Sequence, residues 1–153
     1  TTVTCNYDFS ATPLKKIVKP YTIVRRGGMK IGIVGATCYL EGVVLKSALD
    51  GMVRLNTIEE VNRWADYLKN KKHCDMVILL SHLGYEGGDA DRPSDVVMVR
   101  NSRNIDLVIG GHSHTYLKEA RQEKDLDGRV VPITQCGGQG VVVGTWEITR
   151  ARP

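Results

Sequence analysis

The chain has 153 residues, 42% hydrophobic and 25% charged, with a formal net charge of +4. That length suits about one domain with a real apolar core, and 16 glycines against 5 prolines without a period exclude collagen-like and most low-complexity classes. No apolar run reaches the roughly 18 residues of a membrane helix, Thr1 opens no leader of basic then apolar residues, and the mild charge, with Lys15, Lys16, Lys19, Arg25 and Arg26 as solvated loop faces, gives no reason to expect a nucleic-acid partner.

Along the chain, Tyr21 to Arg26 and Met29 to Ala36 are two extended runs separated by Gly27-Gly28, the pattern of a β-hairpin. Ile31 to Ala36 is almost continuously apolar, as in a strand buried on both faces. Its Gly32 and Gly35 do not make the G-x-G-x-x-G of a dinucleotide site. Thr57-Ile-Glu-Glu60 fits a capping box with Thr57 as the N-cap. Val61, Trp64, Ala65 and Leu68 then recur at helical spacing, with Lys69, Lys71 and Lys72 favouring the helix C-terminus. Met76 to Leu80 is a buried strand ending at Ser81-His82-Leu-Gly84. Arg92-Pro93 begins a second helix, with Pro93 near its first turn. Ile105 to Ile109 is another apolar strand, ending at Gly110-Gly-His112-Ser-His114.

Strand, helix, strand, helix, strand predicts an α/β fold with a parallel core. The tail predicts an antiparallel meander from Tyr116 to Arg121, Arg129 to Gln135 and Val141 to Thr149, the first two joined near the turn dipeptide Asp127-Gly128. No linker or composition break divides residues 1–153, so a single domain is expected. Cys5, Cys38, Cys74 and Cys136 are scattered with no C-x-x-C pair, which favours buried free thiols over a disulfide framework or a cysteine-bound zinc.

Three of the four histidines lie just past the ends of two buried strands, where open α/β sheets bind ligands. His112 and His114 aim at one locus if the backbone between them stays extended. Gly84, Gly110 and Gly111 clear space and allow sharp turns. Neutral imidazole is a common ligand of divalent metals, so His82, His112 and His114 are the candidate metal ligands, whereas His73 reads as an ordinary surface residue. His82 as a general base would need Ser81 or Ser113 beside it as nucleophile. The chain has no G-x-S-x-G elbow, which argues against a serine hydrolase.

Ser81-His82-Leu83-Gly84-Tyr85-Glu86 and Ile105-Asp-Leu-Val-Ile-Gly-Gly-His112-Ser-His114-Thr closely resemble the calcineurin-like metallophosphoesterases, in the branch of 5′-nucleotidases and 2′,3′-cyclic phosphodiesterases. Met29 to Thr37, Gln135-Cys-Gly-Gly-Gln-Gly140 and Cys5-Asn6 match more loosely, so the likeness runs from about Cys5 to Arg150. The resemblance implies a four-layer α/β/β/α sandwich and a two-metal hydrolase of nucleotides or other small phosphate esters. His82 and His112 would share one ion and His114 would hold the other, the ions being Mn, Zn, Fe or Co, with Gln135 to Gly140 at the rim. It also implies a periplasmic or extracellular location.

The chain departs from that family pattern in having no Asp-x-His, no G-D-x-x-D and no Gly-Asn-His segment. These carry the anionic ligands, the bridging carboxylate and the catalytic His of the family. The expectation is therefore the C-terminal half of a catalytic domain, its partner being the missing N-terminal half. Alone it should bind at most one metal, weakly, and turn over little. Its bare sheet face should drive association between copies. The alternative is a non-catalytic, truncated or degenerate metal-binding fragment.

Overall fold

The computed structural model describes residues 1–149. Its chain opens with short strands β1 (Thr2–Val3), β2 (Tyr7–Asp8) and β3 (Val18–Lys19), β1 pairing parallel with β3. Then β4 (Tyr21–Arg26) and β5 (Met29–Thr37) form the expected hairpin, Arg26 opposite Met29. Gly27 and Gly28 have φ of +55° and +75°, the pair of left-handed conformations that a two-residue turn of the tightest type requires. β6 (Val53–Arg54) pairs antiparallel with β2. Next come α1 (Thr57–Asp66), prolonged by a π-helical turn at Tyr67–Lys71, β7 (Met76–His82), α2 (Asp95–Arg100), β8 (Leu107–Ile109), β9 (Arg121–Lys124) and β10 (Val130–Thr134).

Six strands form one mixed sheet in the order β4-β5-β7-β8-β10-β9. The four inner strands run parallel, and the two outer pairs are antiparallel hairpins. The class is mixed α/β, as expected. Strand alternation sorts the side chains. Val34, Ala36, Val77, Leu79, Val108, Val131 and Ile133 pack with Val61, Ala65 and Leu68 of the first helical segment and Met98 and Val99 of α2 into one buried core. The opposite face carries Ile31, Ile33, Leu80 and Ile109, which are half-buried or exposed, Leu80 at 46%.

Several boundaries differ from the sequence reading. The N-cap of α1 is Asn56, whose side chain accepts from the Glu59 amide at 3.1 Å. Thr57 is instead buried, because its hydroxyl accepts from Asn6 Nδ2 at 3.0 Å. Pro93 precedes the cap of α2, which is Ser94, accepting from the Val97 amide. In the tail the antiparallel pair is β9 with β10, turning at Asp127-Gly128, while Tyr116 makes only an isolated bridge to Cys136. Val141 to Thr149 forms no strand and leaves Val141 82% exposed. Strand-forming side chains do not suffice there, since a strand also needs a neighbour for its N–H and C=O groups. All four thiols are free, and burial pushes Cys5 up to about 12.

Asn6 ties the N-terminal segment to both the end of β5 and the start of α1. It donates to the Thr37 carbonyl (2.8 Å) and Thr57 Oγ1, and accepts from the Thr37 amide and the Thr4 hydroxyl (both 3.0 Å). Asn6→Ala strands these partners in a buried setting. We expect it to lower the unfolding free energy by about 2–4 kcal/mol, read as a lower urea midpoint. An unchanged midpoint would show that the four bonds contribute nothing net.

Candidate functional site

The register of the parallel strands ends β5 and β7 level and β8 two residues before them. Thr37 of β5 is paired with His82 of β7, and Leu80 of β7 with Ile109 of β8. Two glycines past Ile109 comes His112, and its ring centroid lies 5.1 Å from that of His82, edge to face at 65°. Gly111 makes this approach possible, because a Cβ there would stand 3.1 Å from His82 Nδ1. Gly84 lies beside the His112 ring, where an added Cβ would make ordinary contact with Cδ2 at 3.5 Å; its φ of +96°, rather than space, is what calls for glycine.

The backbone between the paired histidines is not extended. His112 and His114 have φ of +79° and +55°, left-handed conformations that ordinary residues adopt only when their surroundings enforce them. The enforcing group is Gln135, 1% exposed. Its Nε2 donates to the Gly111 carbonyl at 2.9 Å, and its Oε1 accepts from the Thr115 amide at 2.6 Å and from Ser113 Oγ at 2.9 Å. Ser113 Oγ in turn accepts from the Tyr85 amide. The turn sends His114 against Gly138, where a Cβ would come 2.7 Å from the ring. The structure thus brings His82 and His112 together and lays His114 on the adjoining glycine loop. Among the described residues, no group of three or more His, Cys, Asp or Glu side chains is placed to hold a metal ion.

Burial lowers the pKa of His82 below its ordinary 6.5, and the charges of His112 and His114 add to the effect. At neutral pH its ring is therefore uncharged and keeps a lone pair free to coordinate.

Sequence reasoning missed Asp95. It is fully buried at the first position of α2, and Ser81 Oγ donates to its Oδ1. Its Oδ2 has no protein partner among the described residues and faces Gly110, where a Cβ would come within 2.2 Å. Burial pushes its carboxyl up to about 7. Asp95 therefore joins the end of β7 to the end of β8 from below, through Ser81 and Gly110. Ser81 lies on the helix-covered face of β7, opposite His82, and is occupied by this bond. Ser113 is occupied by Gln135, so neither serine is poised as a nucleophile for His82. The available signal for Asp95 was its position one residue after a helix cap, which reads as dipole complementarity and hides the contact to Ser81.

Beside His112 opens a cleft of about 190 Å³ between the loop after β5 and the loop before α2.

Residues 2–116 match the calcineurin-like phosphoesterases. The chain belongs to that family. It is 32% identical over 151 residues to an apyrase of Tabanus yao, covering 92% of this chain and 25% of the apyrase. A 5′-nucleotidase of Diplobatis ommata is 28% identical over 144 residues, 86% of this chain and 23% of that protein. Among solved structures, a 5′-nucleotidase precursor from Thermus thermophilus superposes with a TM-score of 0.74 at 27% identity, over 87% of this chain and 27% of that one. The chain thus spans about a quarter of the length of the curated relatives it matches.

Two titrations bracket the site. The folded pKa of Asp95 lies above its ordinary 3.8, so its contribution to stability is full below that value and is lost as pH rises through about 7. The folded pKa of His82 lies below 6.5, so its contribution is full above 6.5 and is lost as pH falls through the lowered value. Asp95→Asn keeps an acceptor for Ser81 and removes the first titration. Urea unfolding should therefore show a smaller loss of stability from pH 5 to pH 8 in Asp95→Asn than in the parent. Parallel pH profiles would rule out a buried, neutral Asp95.

Proposed function

We propose that this chain supplies the histidine half of a 5′-nucleotidase-type site that hydrolyses phosphate esters of nucleotides or similar small molecules with divalent metal ions. The observation that carries the reading is the contact of His82 with His112 past the adjacent ends of β7 and β8. The donor set fits a share of such a site. His82 and His112 are neighbouring imidazoles suited to one ion, and His114 on the next turn is suited to a second. Bound divalent ions would supply hydroxide near neutral pH and neutralise charge on the phosphoryl oxygens.

The chain's own residues hold and orient. Gln135 fixes the turn that presents His112, Gly110 and Gly111 keep the floor free of side chains, and Asp95 with Ser81 locks the two strand ends. Neutral imidazoles cannot offset two dications about 3.5–4 Å apart. The carboxylates, the bridging group and the general acid then come from Asp-x-His and Gly-Asn-His segments that this sequence does not contain. The chain is thus the C-terminal half of one catalytic domain, inactive by itself. The face bearing Ile33, Leu80 and Ile109 is where the other half packs, and in its absence the chain associates with itself. A periplasmic or extracellular location accords with relatives such as the snake venom 5′-nucleotidase of Naja atra.

A second reading, a truncated or degenerate fragment without catalysis that binds metal at most through the His82–His112 pair, is favoured by that pair having no third ligand beside it among the described residues. The two part on a complementation assay. With Mn²⁺ or Zn²⁺, the chain alone should barely hydrolyse p-nitrophenyl phosphate or AMP, and a longer form carrying the upstream motifs should turn both over. His112→Ala in the longer form should cost more than the roughly 10–100-fold typical of losing an outer-shell partner. Full activity in that variant would remove His112 from the ligand set, and an inactive longer form would favour the second reading.

A further inference from the structure

The cleft beside His112 contains a guanidinium with no hydrogen-bond acceptor among the described residues. It is lined by Tyr39, Arg54, Asp91 and Arg92 together with Asn6 and His112. The Arg92 guanidinium lies 3.8 Å from the centre of the Tyr39 ring, and Arg54 lies 4.9 Å from the same ring. Arg54 is spent on Asp91, donating to its carbonyl at 3.0 Å and to Oδ1 at 2.9 Å. Arg92 has only a long ion pair of 3.9 Å to Asp91 Oδ2, and its guanidinium donates no hydrogen bond to the described residues. The two nearby carboxylates act on Arg92 through charge alone. Asp91 Oδ1 accepts from Arg54, and Asp89, which feels the Arg92 charge, spends its Oδ1 on the amides of Asp91 and Arg92 at 2.8 and 3.0 Å, so no carboxylate oxygen among the described residues accepts from the Arg92 guanidinium. Asn6 is also fully used, by Thr37, Thr57 and Thr4. Stacking on an aromatic ring holds a guanidinium plane in place and leaves its edge free, which is the geometry that grips phosphate oxygens.

We propose that this cleft is an anion subsite in which Arg92, stacked on Tyr39, binds a second phosphate of the ligand, one that is not itself transferred. The cleft adjoins His112, so a phosphate ester reacting at the histidines presents its neighbouring phosphate to Arg92. The preferred ligand class is a phosphate ester carrying a second phosphoryl group, ahead of a simple monoester. The choice of phosphate over another anion rests on the phosphoesterase reading. The presence of an anion subsite does not.

The test is a calorimetric titration of the chain with inorganic pyrophosphate and, separately, orthophosphate, in metal-stripped buffer at low salt, where screening is weakest. Pyrophosphate should bind more tightly than orthophosphate. Arg92→Ala should weaken pyrophosphate by about tenfold or more, the scale of losing a hydrogen bond to a charged group. Arg92→Lys should fall between the two, and Tyr39→Leu, which removes the stack but keeps the charge, should also weaken it. Arg103→Ala, which removes an equal charge beside Asp127 and outside the cleft, should leave binding within about twofold. No pyrophosphate binding at millimolar concentration would overturn the subsite, as would an affinity indifferent to Arg92→Ala in protein with unchanged circular dichroism. Equal losses in Arg103→Ala and Arg92→Ala would reduce the effect to net charge and overturn it too. A failure of hydrolysis in the longer form would leave this titration unaffected, so the two proposals fail separately.

Discussion

The parallel register of β5, β7 and β8 is the constraint on which the rest of the site depends. Because Thr37 faces His82 and Leu80 faces Ile109, β5 and β7 end level with β8 two residues short of them, and their following loops share one crevice. A slip of one residue would turn His82 to the helix-covered face and Ser81 out of reach of Asp95. The register is held from both sides. The core of Val34, Val77, Leu79 and Val108 fixes the pleat against the helices, and the Ser81–Asp95 bond fixes the strand ends. Gly110 is required because the Asp95 carboxyl occupies the space where its side chain would be, and Gly111 because His82 does the same.

This architecture gives the site a particular electrostatic character. The imidazole of His82 is kept neutral by burial and by its neighbouring rings, and the nearest buried carboxyl, Asp95, is itself pushed toward neutrality. Positive charge without a close hydrogen-bonded partner appears instead on the cleft wall, at Arg92. An arrangement with neutral donors at its centre and a free guanidinium edge at its margin suits an anionic ligand approaching an ion, but it leaves the charge of that ion to be met by groups this sequence does not contain. The half-bare sheet face has the same character in apolar terms, since its Ile31, Ile33 and Ile109 are half-buried and Leu80 is exposed, while the opposite face packs against the helices.

Much of this was readable from the amino acids alone. The Gly-Gly hairpin, the Val61-Ala65-Leu68 stripe and the two apolar runs ending in histidines are local patterns, and each formed where its periodicity put it. What could not be read depends on long-range partners. Asn56 and Thr57 both have capping side chains, and the choice between them is made by Asn6, 51 residues from Thr57. The left-handed turns at His112 and His114 are imposed by Gln135, more than twenty residues on, so two-residue spacing alone suggested an extended pair. Val141 to Thr149 has strand-forming side chains but pairs with no strand among the described residues. Arg92 looked like a residue at a helix start, and its stack on Tyr39 arises only when the loop after β5 meets the loop before α2.

The most direct test of the account is to follow the His82 and His112 ring protons by NMR while adding Mn²⁺ or Co²⁺ to the chain at pH 7.5. The account predicts that both rings broaden or shift together at the lowest metal concentrations, ahead of the exposed His73, and that His82→Ala abolishes the response of His112. Broadening that begins at exposed carboxylates, or a His112 response that survives the loss of His82, would contradict a shared ion at the strand ends.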